Sequence, residues 1–396
     1  MRISLKEIIF SYLAIIIFLI PIENMTLMGG QATLLRYLGF GIVPLFFVDI
    51  FNRKKLYRWS IEQWIFFIFV FWVILSMTWS YSFEATATLI LTYISLLFFV
   101  WLIISYIDSL KKISMATVIF LVGCLVSLFL GRYSSADWVL NAGYMRYGGG
   151  GMNYNDYAFI LAFGCVISFM HIFLSRSRLV AGFFFIIAIV MLAGIISTYS
   201  RAGFLAVAIL FSGLLYFYWM SFKRSFYIFI LVCICAGVLS LLIPDVFWAR
   251  IMEGSSAETF ISRKNMWESG FGAWKSQPIT GVGAGAFVPA TILSNNRLFL
   301  VAHNTFISVL VELGVVGLGL FVFLYFSLLR IGWQKFVLFK TFDNHKAVYM
   351  YFIGFMGLLI FIPAFLSLTF EYKKVLWFAI ALAISCRRVL VNEKRS

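Results

Sequence analysis

Apolar runs of about twenty residues follow one another along almost the whole chain, separated by short polar and often basic interruptions. A helix needs roughly 20 such residues to cross the hydrocarbon of a bilayer. The runs fall at 7–23, 33–51, 61–80, 86–107, 113–131, 156–175, 179–197, 202–220, 225–243, 304–329, 347–368 and 373–390. They predict an all-α polytopic membrane protein of about twelve transmembrane helices, with both ends on one side. One interval breaks the rhythm. From Ile243 to Asn304 the chain stays largely polar, which predicts a long, partly helical loop between spans nine and ten. The expected organisation is spans one to five over 1–131, spans six to nine with an outer glycine-rich loop over 132–243, a lid loop over 244–302, and spans ten to twelve with a tail over 303–396.

Composition agrees with this class. The 396 residues are 63% hydrophobic and 12% charged, outside the range of soluble globular domains. The five cysteines, Cys124, Cys165, Cys233, Cys235 and Cys386, all lie inside apolar runs with no C-x-x-C spacing, so they read as small core residues. A net charge of +15 would suggest nucleic acid in a soluble domain. Here topology accounts for most of it, and no nucleic-acid partner is expected. With the N-terminus inside, most lysines and arginines fall in short inner segments, such as Arg53 to Arg58, Lys111-Lys112, Arg176 to Arg178, Lys223-Arg224 and Arg387-Arg388, as the positive-inside rule requires. Arg2 and Lys6 ahead of the first run lack a small-residue cleavage site, so that run reads as a retained span.

The outer cations are more informative, because orientation does not explain them. Arg201 stands in Thr198-Tyr199-Ser200-Arg201-Ala202-Gly203, where the seventh run passes almost without a loop into the eighth. It suits either snorkelling to lipid headgroups or binding an anion. Arg263 falls in a helix expected to start near Ser255 or Ser256, where Ser255-x-x-Glu258 has the form of a capping box, and to stop before Pro278. Helical spacing places Phe260, Arg263, Trp267, Phe271 and Trp274 on one stripe, with Lys264 and Glu268 elsewhere. That helix is either an interfacial one whose arginine meets lipid phosphate or a lid that carries a cation to a membrane cavity. The following Gly281-Val282-Gly283-Ala284-Gly285 has no β-α-β unit around it and no Lys-Ser/Thr after it, so close backbone packing is expected there rather than a nucleotide.

His303, of three histidines, is the one that faces outward, at the mouth of the tenth span beside Asn304. Imidazole suits an interface, and it also accepts a proton near neutral pH. Arg146 precedes the glycine-rich stretch 148–151, and Asn155 with Asp156 stand where the sixth span enters, placed to cap its helix or to serve a site. Glu312 lies roughly 13 Å below His303 along the tenth span and about half a turn around, too far for direct contact, although an acid inside a span is a functional candidate. No D-x-D, H-E-x-x-H or cysteine cluster points to a metal, and no cofactor is expected. Two arginine forks suited to phosphate oxygens, with a histidine base, fit transfer of a group from a diphosphate to an alcohol.

The Thr198–Gly203 segment, Arg263 with Trp267, Pro278 to Gly283, and His303-Asn304-Thr305-Phe306 with Glu312-Leu313-Gly314 together resemble the O-antigen ligase family, over about residues 146–385. The sequence departs from it at Met152-Asn153-Tyr154-Asn155, where many relatives carry a proline. The resemblance implies a GT-C-like membrane fold in the bacterial inner membrane and a site facing the periplasm. It also implies a donor glycan on undecaprenyl diphosphate and a lipid A-core acceptor. By the same resemblance Arg201 and Arg263 hold the diphosphate and His303 is the base, with Arg146, Asn155, Asp156, Asn304 and Glu312 as possible supporting residues. Inversion at the donor carbon without a metal is the expected course. A polymerase of the same family, a protein O-oligosaccharyltransferase and a twelve-span transporter of an anionic solute are the alternatives. The last is disfavoured by the absence of paired interrupted spans.

Overall fold

The computed structural model describes residues 4–26, 34–53, 59–132, 138–141, 144–149, 152–221, 257–293, 301–339 and 344–392. In chain order these form α1 (Leu5–Leu19), α2 (Leu34–Arg53), α3 (Ile61–Leu75), α4 (Phe83–Tyr106) and α5 (Leu110–Arg132). A short hairpin follows, β1 (Trp138–Asn141) and β2 (Tyr144–Tyr147), then α6 (Tyr154–Leu174), α7 (Arg178–Ser197) and α8 (Arg201–Ser221). Next come α9 (Ala257–Trp274), α10 (Phe287–Leu293) and α11 (Thr305–Phe339). The last elements are α12 (Asn344–Tyr351), a π-helical turn (Phe352–Met356), α13 (Gly357–Leu359), α14 (Ile362–Ser367) and α15 (Lys374–Asn392).

Among the described residues, nine helices are long and apolar enough to cross a membrane. They coincide with nine of the expected spans. Two more expected spans, 33–51 and 373–390, are found as α2 and α15, and the ninth, 225–243, lies outside the described residues, as do Arg250, Ser255, Ser256 and Arg297. The class is that of an all-α polytopic membrane protein, with one addition. The 138–147 segment pairs as an antiparallel hairpin, Trp138 opposite Tyr147 and Val139 opposite Arg146. Four-residue strands are too short to show an alternating pattern, so the sequence reads only as a loop there.

Two helices form the centre of the bundle. α6 is buried on nearly every side from Tyr157 to His171, and α15 from Val375 to Cys386, as expected for helices apolar all round. Lipid tails are as apolar as leucine side chains, so such helices associate through close packing rather than hydrophobic exclusion. α6 shows how. A Cβ on Gly203 of α8 would come within 2.6 Å of Ala158, and one on Gly194 of α7 within 2.7 Å of Leu161. His171 takes a structural place here, hydrogen-bonded to Thr117 at 3.0 Å and stacked on Phe184. At the end of the bundle where α3 begins, Arg387 of α15 grips the buried Glu62 of α3 through both its terminal nitrogens at 2.5 Å.

Candidate active site at the outer end of the bundle

The ends of α1, α3 and α7 and the starts of α4, α6, α8, α11 and α15 come together at the opposite end, the one the charge pattern assigns to the outside. α11 is broken there. Gly314 has φ +67 and ψ −170 within the helix, and the glycine loop after α9 fills the break. Val282 N–H donates to Val311 O and Gly283 N–H to Glu312 O, both at 2.9 Å, while Trp72 Nε1 donates to Leu313 O at 2.9 Å. The carbonyls released by the break thus find donors, as buried backbone groups must. Gly281, Gly283 and Gly285 all have positive φ. A Cβ on Gly283 would sit 2.3 Å from Ser80 Oγ, so this position demands glycine both for its backbone and for its space. The loop is a packing device, in line with the reading of its sequence.

Glu312 belongs to the same device. Its carboxylate accepts from Gly285 N–H at 2.7 Å and also meets the Phe287 N–H and the Ser308 hydroxyl. It therefore tethers the loop and the start of α10 to α11, and no contact with His303 is involved.

α9 lies on this platform, with a buried face that differs from the expected stripe. Met266, Gly270 and Ala273 are buried, whereas Arg263, Trp267, Phe271 and Trp274 flank them half-exposed. The small residues decide it. A Cβ on Gly270 would meet the Phe287 ring at 2.8 Å, so only glycine lets α9 approach α10 this closely. The helix stops at Trp274, before Pro278, as expected. Lys264 and Glu268 form an exposed pair at 3.7 Å, away from the packed face.

From its flank position Trp267 reaches the next segment. Its Nε1 donates to Ala302 O at 2.8 Å, the residue before His303. His303 itself has φ +46, a left-handed conformation that costs a non-glycine residue about 1–3 kcal/mol and persists only where the surroundings impose it. They do so from both sides. Asn304 Oδ1 accepts from Ile307 N–H at 3.1 Å, capping α11, and its Nδ2 donates to Leu366 O at 3.4 Å. Thr305 Oγ1 donates to Leu368 O and accepts from Phe370 N–H, each at 2.9 Å. His303 is half-buried and feels three influences on its proton. Burial lowers its pKa below the ordinary 6.5, the Arg263 guanidinium lowers it further, and the Asp156 carboxylate opposes both. Electrostatically, Arg263, His303 and Asp156 form one cluster.

Arg146 ties the turn that precedes Arg201 to Asn155, the neighbour of Asp156. The Arg146 side chain is buried to 2% exposure. Its Nε donates to Thr198 O at 3.0 Å, and its Nη2 donates to Tyr199 O at 3.2 Å and to Asn155 Oδ1 at 3.1 Å. The face of its guanidinium lies 3.3 Å from the centre of the Tyr154 ring. One side chain thereby locks the hairpin, the start of α6 and the turn between α7 and α8. In that turn Tyr199 is the second non-glycine residue with positive φ among the described residues, at +49. Thr198 and Ser200 are buried and Arg201 is exposed as the first residue of α8. A cation at a helix start adds to the positive end of the macrodipole, an arrangement that favours an anion beside it.

The capping roles expected for Asn155 and Asp156 fall to Asn153 instead, whose Oδ1 accepts from Asn155 N–H at 2.9 Å. This frees Asn155 for Arg146, and Asp156 for an ion pair with Lys373 at 2.6 Å. Neither Trp267 nor Lys373 stands among the sequence candidates for the site. Lys373 has its partner 217 positions away in sequence, and only the fold pairs them.

The fold is that of a polytopic helical membrane protein, and the candidate residues Arg201, Arg263 and His303 all lie toward one end of its bundle. Residues 186–322 match the model of the family described as O-Antigen ligase, which supports membership of the O-antigen ligase family. Arg201, Arg263, His303, Asn304 and Glu312 lie within the matched segment; Arg146, Asn155, Asp156 and Lys373 lie outside it. The match supports a coarse functional class, that of ligase- or polymerase-type membrane enzymes of glycosyl transfer. No curated protein matches the chain.

Proposed function

We propose that this chain is an O-antigen ligase-type glycosyltransferase of the bacterial inner membrane. It takes a glycan from undecaprenyl diphosphate at the periplasmic face and joins it to a hydroxyl of lipid A-core. The observation that carries the reading is His303, held in a strained backbone, its pKa lowered from the ordinary imidazole value by burial and by the Arg263 cation against the pull of the Asp156 anion. A neutral imidazole at neutral pH is a base ready to act.

In the proposed step a ring nitrogen of His303 takes the proton from the acceptor hydroxyl. The acceptor oxygen attacks the anomeric carbon of the donor as the bond from that carbon to the phosphate oxygen breaks, which inverts the configuration. The electron pair leaves with the diphosphate, and Arg201 and Arg263 offset the negative charge that grows there. Arg201 starts α8 and Arg263 stands on the flank of α9; in this reading the donor head lies between the lid helix and the bundle. Two guanidinium groups supply the positive charge that a metal supplies in other diphosphate-using enzymes, and the step needs no cofactor.

A gel of surface lipopolysaccharide and of lipid-linked glycan from cells lacking the gene tests the assignment. Bare lipid A-core with long polymer on the lipid carrier is the expected result. Core bearing a single repeat unit would make the protein a polymerase with the same donor chemistry. No change in either would overturn the reading and return attention to protein glycosylation or solute transport.

A further inference from the structure

A cavity of about 220 Å³ opens between the end of α1, the start of α6 and the start of α15, and its Phe370 wall is hydrogen-bonded to Thr305, two residues after His303. Four charged side chains line it, and they form two complete ion pairs. Asp156 meets Lys373 at 2.6 Å, and Glu23 meets Lys374. Asn153 adds an amide and Phe370 an aromatic wall. All four charged groups are partly open, with side-chain exposures of 16–31%, so they face the cavity without being exposed outright.

This chemistry differs from that of the arginine side of the site. Each carboxylate here is matched by an ammonium, so the cavity has no net charge with which to draw a phosphate. It offers carboxylate oxygens as acceptors and ammonium and amide hydrogens as donors, at several angles and beside an apolar ring. That set matches the hydroxyls and the apolar face of a sugar. The size is also limiting. Sites that enclose a whole small ligand measure roughly 300–1,000 Å³, so this one takes a single terminal ring and leaves the rest of a larger molecule outside. Asp156 connects the cavity to the base, since the same carboxylate that pairs with Lys373 acts on His303.

We propose that the cavity bounded by the Asp156–Lys373 and Glu23–Lys374 pairs is the acceptor subsite, which seats the terminal, uncharged sugar ring of the acceptor with its reacting hydroxyl toward His303. This rests on the glycosyltransferase reading above and adds to it a division of the site, with anionic donor on the arginines and neutral polyol on the ion pairs. In-line displacement needs the acceptor oxygen and the departing diphosphate on opposite faces of the donor's anomeric carbon, and separate seats for the two substrates allow that.

The test uses the full-length protein in phospholipid vesicles with an undecaprenyl-diphosphate-linked glycan as donor and a lipid A-core glycolipid as acceptor. Glu23→Gln and Lys374→Ala, each away from His303, are expected to raise KM for the acceptor roughly tenfold, the size of one charge-assisted hydrogen bond, and to leave KM for the donor within twofold. The reversed pair, Glu23→Lys with Lys374→Glu, restores a purely structural ion pair but moves every donor and acceptor, so its acceptor KM stays high if the pair reads a sugar. Acceptor KM returning to wild type in the reversed pair, or a rise in donor KM alone, would overturn the proposal. If the wild-type protein moves no glycan, the transfer reading fails separately. Alkylation of Asn153→Cys by maleimide then decides the subsite: protection by the acceptor glycolipid and not by the donor supports it, and no protection rejects it.

Discussion

Arg146 and His303 illustrate two ways in which one residue shapes the site. Arg146 never reaches it, yet its planar fork meets three acceptors on two segments and lies on a tyrosine ring. A lysine keeps the charge but not the fork, and each buried acceptor left without a donor costs about 1–3 kcal/mol. Arg146→Lys is therefore expected to lower the melting temperature in detergent, and Arg146→Ala to lower it more. Both should reduce transfer beyond the loss of folded protein, because the turn that presents Arg201 is no longer fixed. His303 lends itself to a pH experiment. With its pKa below 6.5 the base is neutral at pH 7, and the acid limb of the rate profile should have its midpoint below that value. Asp156→Asn removes the group that raises the pKa and should move the midpoint lower; Arg263→Gln removes a group that lowers it and should move the midpoint higher, at a reduced maximal rate. Shifts in the same direction for both variants would argue against His303 as the titrating base.

Among the elements, the glycine loop and α9 make opposite predictions for the same substitution. Gly283→Ala places a Cβ 2.3 Å from Ser80 Oγ and 2.6 Å from its Cα, on a backbone with φ +105. The loop cannot keep its seat in the break of α11, and a loss of more than ~1 kcal/mol is expected because the native conformation excludes the new residue. Gly272, on the exposed side of α9, meets nothing within 4 Å. Gly272→Ala should stabilise by about 0.5–1 kcal/mol, since alanine favours a helix and restricts the unfolded chain. Thermal melts of the two variants side by side compare these effects, and a destabilised Gly272→Ala would mean that α9 has a partner on that face.

For the molecule as a whole, one buried acid tests how the last helices are assembled. Glu371, in the connection between α14 and α15, is 2% exposed and has one carboxylate oxygen without a hydrogen-bond partner among the described residues. Burial pushes its pKa from 4.5 up to about 7, against the pull of Ser308, Thr305 and Lys373; Glu312 of α11 is the other acid that faces it. A raised carboxyl pKa favours the folded state below pH 4.5, and that advantage is lost as pH rises through 7. At pH 8, where the group is charged in both states, the buried charge costs on the order of 3 kcal/mol, from the equivalence of one pKa unit to ~1.4 kcal/mol. Glu371→Gln should therefore raise the melting temperature at pH 8 and change it little at pH 4.5. Equal gains at both values would show that the acid is not neutralised by burial. A second assembly contact lies at the inner end, where Glu62→Ala removes the buried partner of the partly exposed Arg387 and is expected to lower the melting temperature.

The class of the molecule and nearly all of its described helices follow from the order of residues alone, because a bilayer leaves the chain few options. Every backbone group must be satisfied within the span, so length and hydropathy locate the helix, and the basic loops orient it. The sequence also put Arg201, Arg263 and His303 forward as candidates, since the positive-inside pattern does not account for them. Contacts across the fold were not legible, because no local pattern encodes a partner 50 or 200 positions away. The Arg146 clamp on the 198–199 carbonyls, the Trp267 bond to Ala302, the Asp156–Lys373 pair and the seating of the glycine loop in the α11 break are all of this kind. Local rules also erred where tertiary packing overrode them. Asn153 took the cap expected of Asn155 and Asp156 once Arg146 and Lys373 claimed those side chains, and small residues rather than aromatics set the buried face of α9. Propensity and spacing act over one or two turns of helix, whereas the outer site is built from the ends of eight segments that only the folded bundle brings together.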